Sequence, residues 1–307
     1  MRVAGVADIG GTNTRVALIR EDKSLLAIDR FRTPAGIDPA EVTSRVGATL
    51  VRFIRSASVP ELCGIGVSVA GPVDLASGSI SHPPNMPFDE VPIVTPLSVA
   101  FGCPITLMND CRAAVLGEVF AGGAKGYRHV VYITISTGIG GGVYSDGRVL
   151  MGRGGNAGEI GHFTVESQYM QPCSCGKAGH WEGCSSGGGM PGFYQTWCRV
   201  HNVSRIGTFG YTEDILAAAS AGDPVVCAFI KTLAEINGRG ISTVIVAYDP
   251  DIIIFDGPVV TAHQDLILYP ALDHLDHYLP TPAIAISPLG GNAPLFGVAA
   301  AVFSREL

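Results

Sequence analysis

Twice in this chain an apolar run breaks into a glycine-rich reversal and resumes as a second apolar run, and no other feature restricts the fold so tightly. The first is Asp8-Ile9-Gly10-Gly11-Thr12-Asn13-Thr14, preceded by valines and alanines and followed by Arg15-Val16-Ala17-Leu18-Ile19. The pattern predicts strand, tight turn, strand. Glycines let backbone N–H groups approach phosphate oxygens with no Cβ in the way, Thr12 and Thr14 add hydroxyl donors, and Asp8 is suited to orient a hydrated divalent cation. An ordinary Gly-Gly hairpin beside an acidic residue fits the same heptapeptide. The second reversal, Thr134-Ile135-Ser136-Thr137-Gly138-Ile139-Gly140-Gly141-Gly142-Val143, follows the apolar run Val130-Val131-Tyr132-Ile133. One such loop in each half of the chain is what an ATP site between two similar domains requires, each half gripping one side of the phosphate chain. A helix-forming P-loop is excluded, because no GxxxxGK[ST] is present.

At 307 residues, 47% hydrophobic and 15% charged, the chain can bury two domain cores. A net charge of −7 with scattered Lys and Arg argues against nucleic acid or an anionic membrane as the main partner. Met1 leads straight into the first strand, and no apolar run reaches the roughly 18 residues of a membrane span, so a cytoplasmic protein without leader or anchor is expected. Eight cysteines in such a chain read as thiols or metal ligands rather than a disulfide framework. Cys63, Cys103, Cys111, Cys198 and Cys227 stand in apolar or helical contexts and are expected as small buried residues. Cys173, Cys175 and Cys184 fall instead in a polar, glycine-rich segment with histidines nearby.

Between the reversals, Val42, Val46, Leu50 and Phe53-Ile54 recur at helical spacing and predict a helix from about 38 to 56. Cys63 to Val73 reads as a buried strand ending in a Gly-Pro turn, and Ile105-Thr106-Leu107-Met108 as another strand running through Asn109-Asp110 into a helix to about 121. From Val130 the order restarts: two strands, an insertion from about 152 to 192, helices to 247, the strand Ile252–Phe255, a strand over 283–287 and a last helix over 294–303. Strands alternating with helices imply an α/β fold. The expected domains are residues 1–120 with a C-terminal helix at about 292–307, and residues 121–291.

With these segments in order, the chain resembles the ROK family (repressor, open reading frame, kinase), in the larger group of sugar kinases, actins and Hsp70 ATPases. The resemblance rests on Asp8-Ile9-Gly10-Gly11-Thr12, Pro84-Asn85, Asn109-Asp110, Ser136 through Gly142, Gly158-Glu159-Ile160-Gly161-His162, and Cys173-Ser174-Cys175-Gly176 through Glu182. It implies two ribonuclease-H-like α/β domains of the actin and hexokinase type with an interdomain cleft. The implied activity is ATP-dependent phosphorylation of the 6-hydroxyl of a hexose, glucose by default, with N-acetylmannosamine or fructose as alternatives. It implies ATP, Mg²⁺ and a structural Zn²⁺, with a homodimer common among such proteins. A sugar-responsive transcriptional regulator is the rival within the family; those proteins carry a helix-turn-helix ahead of the first loop, and only seven residues precede Asp8 here.

The resemblance also implies roles. Asp110 is the general base, and Asn109 helps hold the sugar; a plain Asn/Asp helix N-cap fits the same pair. Asn85, Glu159 and Glu182 contact sugar hydroxyls, although a turn asparagine and solvated surface glutamates fit those positions too. Asp8, Gly10, Gly11, Thr12, Asn13, Thr137, Gly138 and Gly257 serve the nucleotide. His162, Cys173, Cys175 and His180 make a four-ligand N/S zinc site that fixes the loop bearing Glu159 and Glu182. The family's usual pattern has a third cysteine where His180 stands, so Cys184 is an alternative ligand. It also has a second glycine, beside the adenosine, where Asp256 stands, and the resemblance leaves open whether an acid near the base or ribose alters nucleotide preference.

Overall fold

A computed structural model describes residues 1–36, 38–59, 61–83, 86–203 and 209–304. In chain order the elements are β1 (Val3–Ile9), β2 (Asn13–Arg20), β3 (Leu25–Arg32), α1 (Ala40–Ser56), β4 (Gly64–Val69), β5 (Val73–Asp74), β6 (Ser79–Ser81), β7 (Glu90–Pro92), α2 (Val94–Phe101), β8 (Ile105–Asn109) and α3 (Asp110–Phe120). There follow β9 (His129–Ile135), β10 (Ile139–Ser145), β11 (Arg148–Val149), α4 (Trp181–Ser185), α5 (Met190–Val200), α6 (Thr212–Ser220) and α7 (Pro224–Tyr248). The last are β12 (Ile252–Asp256), α8 (Pro258–Ala262), α9 (Gln264–Ile267), α10 (Tyr269–Leu272), β13 (Ala283–Ile286) and α11 (Ala293–Ser304). The chain forms two compact α/β units, one of Met1–Val130, Gly142–Gly158 and Ser287–Leu307, the other of Val131–Gly141 and Glu159–Ile286. The stretch 142–158, which the sequence reading put with the second half, groups with the first unit.

The first unit is built on a five-stranded sheet in the order β3-β2-β1-β4-β8. β1 pairs antiparallel with β2 through the glycine turn, and β1–β4 and β4–β8 are parallel, as crossover connections through helices require. Alternation along β4 sorts the two faces. A Cβ on Gly64 or Gly66 would meet Val302 or Val298 of α11, whereas Ile65 and Val67 join a core with Val42, Val46, Leu50 and Phe53 of α1. The last helix therefore belongs to the first unit. It also packs against α3, the helix that opens with Asp110. Fully buried Glu118 of α3 accepts a short hydrogen bond from Ser287 and one of 2.9 Å from the Gly123 amide. A small sheet, β5-β6-β7, completes the unit.

The second sheet has the order β11-β10-β9-β12-β13, with β12 parallel to β13. In the second unit α7 is the packing centre: Phe229, Leu233, Ile236, Ile241 and Val244 are buried, and Trp181 of α4 donates to Asn237 at 2.8 Å. Phe193, Tyr194 and Trp197 of α5 stack on Phe229 edge to face or tilted, at centroid separations of 5.2–5.8 Å. Among the described residues no single helix is long and apolar enough to cross a membrane. Cys111 and Cys198 are buried as expected, but Cys63, Cys103 and Cys227 are only partly so, because each lies near an element end rather than in a strand or helix centre.

Candidate active site

The first glycine reversal is a β-hairpin whose register sets Asp8 opposite Arg15. Arg15 donates to Asp8 Oδ2 from Nη2 at 2.6 Å and Nε at 3.1 Å, and Ser68 Oγ donates to Oδ1 at 2.6 Å. Arg15 Nη1 also donates to the Gly291 carbonyl at 2.6 Å and to Asn292 Oδ1 at 3.3 Å. The carboxylate expected to orient a cation is thus fixed in direction by three donors. The turn closes with Gly10 N donating to the Asn13 carbonyl at 3.0 Å, and Gly11 and Thr12 lie at its tip. Thr33, just past the end of β3, clamps it, donating to the Thr12 carbonyl from its amide at 3.0 Å and to the Gly10 carbonyl from its hydroxyl at 2.6 Å. Thr12 is exposed. Thr14 departs from the sequence reading: its side chain is wholly buried and its hydroxyl pairs with that of Thr33 at 2.9 Å, because strand alternation turns position 14 inward.

Asn109 ends β8 in an extended conformation and caps α3, its Oδ1 accepting from Cys111 N at 2.9 Å and Arg112 N at 3.4 Å. Its Nδ2 donates to the Gly71 carbonyl at 3.2 Å. The capping role therefore falls on Asn109, and Asp110 is the first helical residue. Asp110 is half-buried, with Oδ1 accepting from Cys111 N at 2.8 Å. Asn85 lies outside the described residues.

In the second unit Ser136, Thr137 and Gly138 form the second turn, with Ser136 N donating to the Gly138 carbonyl at 2.9 Å. Thr137 is exposed. The segment after α4 wraps this turn: Gly187 N donates to the Ser136 carbonyl at 2.7 Å and Gly188 N to the Thr137 carbonyl at 2.9 Å. Glu182, in the first turn of α4, accepts from Ile139 N at 3.0 Å through Oε2 and from Ser174 Oγ at 2.8 Å through Oε1. Glu159 is exposed just before a short 3₁₀ turn, Ile160–His162.

Local pairing gathers the metal-capable side chains. Thr164 bridges His180, Trp181 N donates to the Phe163 carbonyl at 3.0 Å, and Pro172 bridges Ala178 around a turn in which Cys173 N donates to the Lys177 carbonyl at 2.7 Å. The two histidine rings come within 5.3 Å of each other, and the ligand atoms of His162, Cys173, Cys175 and His180 all lie within 4.8 Å of one another. Cys173 Sγ is 3.8 Å from His162 Nδ1 and Cys175 Sγ is 3.3 Å from His180 Nδ1. Zn–S bonds of about 2.3 Å and Zn–N bonds of about 2.0–2.1 Å give a tetrahedral S···N edge of about 3.6 Å, so the donor set and its spacing fit zinc. Cys184 is not among the four. It is wholly buried in α4, and burial pushes its thiol up to about 12.

Gly257 opens α8 with φ of +96°, and a Cβ there would lie 2.4 Å from the Ile135 carbonyl oxygen, so the position admits glycine alone. Asp256, whose bearing on nucleotide preference the resemblance leaves open, has protein partners of its own. Its carboxylate is buried, accepting from the Tyr132 hydroxyl at 3.0 Å and from Gly257 N at 2.7 Å, and so serves the sheet end. Sequence reasoning missed Arg15 and Ser174. The hairpin register held the signal for Arg15, since a turn closing Ile9 on Thr14 sets 8 against 15.

A model of the ROK family matches residues 3–305. A glucokinase from Pyrobaculum calidifontis is 31% identical over 299 residues, covering 96% of this chain and 93% of the relative. Among solved structures, a ROK hexokinase from Thermus thermophilus superposes with a TM-score of 0.84 at 29% identity, over 99% of this chain and 98% of that one. A ROK glucokinase from Streptomyces griseus, in complex with glucose and AMPPNP, gives a TM-score of 0.74 at 26% identity, over 98% of this chain and 99% of that one. Two α/β units, each with a glycine turn, and a match running from the first strand to the last helix have one reading: the chain belongs to the ROK family.

Proposed function

We propose that the protein is an ATP-dependent sugar kinase that phosphorylates the 6-hydroxyl of a hexose, with glucose as its substrate. The observation that carries this reading is end-to-end similarity to glucokinases, one of them bound to glucose and AMPPNP, in a chain that keeps both glycine turns and an aspartate opening α3. Asp110 takes the proton of the 6-hydroxyl as that oxygen attacks the γ-phosphorus. The O6–P bond forms, the bond from phosphorus to the β–γ bridging oxygen breaks, and ADP leaves with the electron pair. Backbone N–H groups of the Gly10–Asn13 and Thr137–Gly138 turns serve the phosphates, and Asn109, Glu159 and Glu182 orient the sugar. Asp8 would hold Mg²⁺ through its hydration shell, and the ion, when bound, neutralises phosphate charge. His162, Cys173, Cys175 and His180 would hold Zn²⁺, which fixes the turn before α4.

Assays of ATP consumption with glucose, mannose, fructose, glucosamine, N-acetylglucosamine and N-acetylmannosamine test the proposal. Glucose is expected to turn over best, yielding a 6-phosphate. Preference for N-acetylmannosamine or fructose would reassign the substrate, and no sugar-dependent ATP consumption would overturn the reading. Elemental analysis of protein purified without chelators is expected to find one zinc per chain.

A further inference from the structure

The carboxylate of Glu182 stands between two things that sequence keeps far apart. On one side Oε1 accepts from Ser174 Oγ at 2.8 Å and lies 3.6 Å from Cys173 Sγ, so it touches the metal-capable turn itself. On the other side Oε2 accepts from the amide of Ile139, the residue that ends the second phosphate turn. Gly138 makes the reach possible, since a Cβ there would sit 2.6 Å from Glu182 Oε2. The base of this link is rigid. Trp181 is wholly buried and bonded to Asn237 of α7, and His180, beside it, is one of the four gathered ligands.

We propose that Glu182 is a positioning residue for the nucleotide as well as a sugar ligand: it transmits closure of the His162–Cys173–Cys175–His180 turn to the second phosphate turn, so that zinc sets nucleotide affinity even with no sugar present. This rests on the kinase reading above. A hydrogen bond to a carboxylate is stronger than one between neutral groups, and a buried or half-buried amide that loses its acceptor must find water or move. With Cys173 on a metal as thiolate, Ser174 remains the donor that aims the carboxylate. Loss of the Glu182 bond leaves, among the described residues, the turn's own bond from Ser136 N to the Gly138 carbonyl and the Gly187 and Gly188 amides to hold Ser136–Ile139.

Calorimetric binding of Mg·AMPPNP in the absence of sugar tests the link, because a contact to sugar contributes nothing there. Glu182→Ala is expected to bind about tenfold more weakly than wild type, and Glu182→Gln, whose amide oxygen still accepts from Ile139, within about twofold. Equal binding by wild type and Glu182→Ala would overturn the proposal. Should Glu182→Ala fail to fold, hydrogen exchange on the wild-type chain and on Ser174→Ala decides. Chelation of zinc from the wild type, or Ser174→Ala, is expected to speed exchange at Ile139 several-fold while the 10–13 turn is unchanged; unaltered exchange would overturn it. If the kinase reading itself were wrong, wild type would not bind Mg·AMPPNP, yet the exchange response would persist.

Discussion

The two glycine turns look alike in sequence but are held by different means. The Gly10–Asn13 turn is supported by neighbours on its own sheet: Thr33, just past the end of β3, clamps it, and Arg15, the cross-strand partner of Asp8, fixes the carboxylate at its start. The Ser136–Ile139 turn borrows its support from Glu182, Gly187 and Gly188, more than 40 residues further along the chain (182 − 139 = 43). A turn stabilised by adjacent strands forms with its hairpin. One stabilised from a distant insertion forms only when that insertion is in place, and it inherits whatever controls the insertion.

Substitutions separate the two supports. The largest effect is expected from Asp110→Asn, which leaves both turns and the Asn109 cap intact: kcat should fall by about 10²–10⁴-fold while Mg·AMPPNP affinity is unchanged, as a coupled assay and calorimetry would show. Near-normal turnover would remove Asp110 as the base. Gly138→Ala pushes a methyl into Glu182 Oε2 and should raise KM for ATP about tenfold, with the first turn's amide exchange unaffected. Arg15→Ala strips Asp8 of its strongest partner, in a pair whose side chains are 24% and 14% exposed, and should cost about 1–3 kcal/mol in urea unfolding whether or not zinc has been removed. A cost that depends on zinc would erase the contrast between the turns. Asp256→Asn keeps the shape at the end of β12 but weakens the bond from Tyr132, for a loss of about 1 kcal/mol in thermal unfolding and no change in the ratio of ATP to GTP use.

What could be read in the sequence follows the same division. Both turns, the strands flanking them and the helix opened by Asn109-Asp110 came from local pattern, and the helix boundaries moved by only a residue or two, as at 40–56 and 110–120. The set His162, Cys173, Cys175 and His180 came from the family resemblance, and the structure brings those four ligand atoms within 4.8 Å of one another. Glu182's bond to Ile139 was not legible, since nothing within reach of either position in sequence signals the other. The bond of Asp256 to Tyr132 is hidden for the same reason, since the two positions stand 124 residues apart in sequence. Thr14 was misjudged by ignoring strand parity, which the hairpin already dictated.

The placement of α11 carries a consequence for how the protein is made. Val298 and Val302 cover the glycine face of β4, and the helix also lies against β1, β8 and α3, so the amino-terminal lobe borrows part of its interior from residues that follow the whole second unit in the chain. Until Ala293–Ser304 has been made, that apolar surface has no cover, and the nascent lobe must wait, exposed to chaperones or to misassembly, for the helix to emerge.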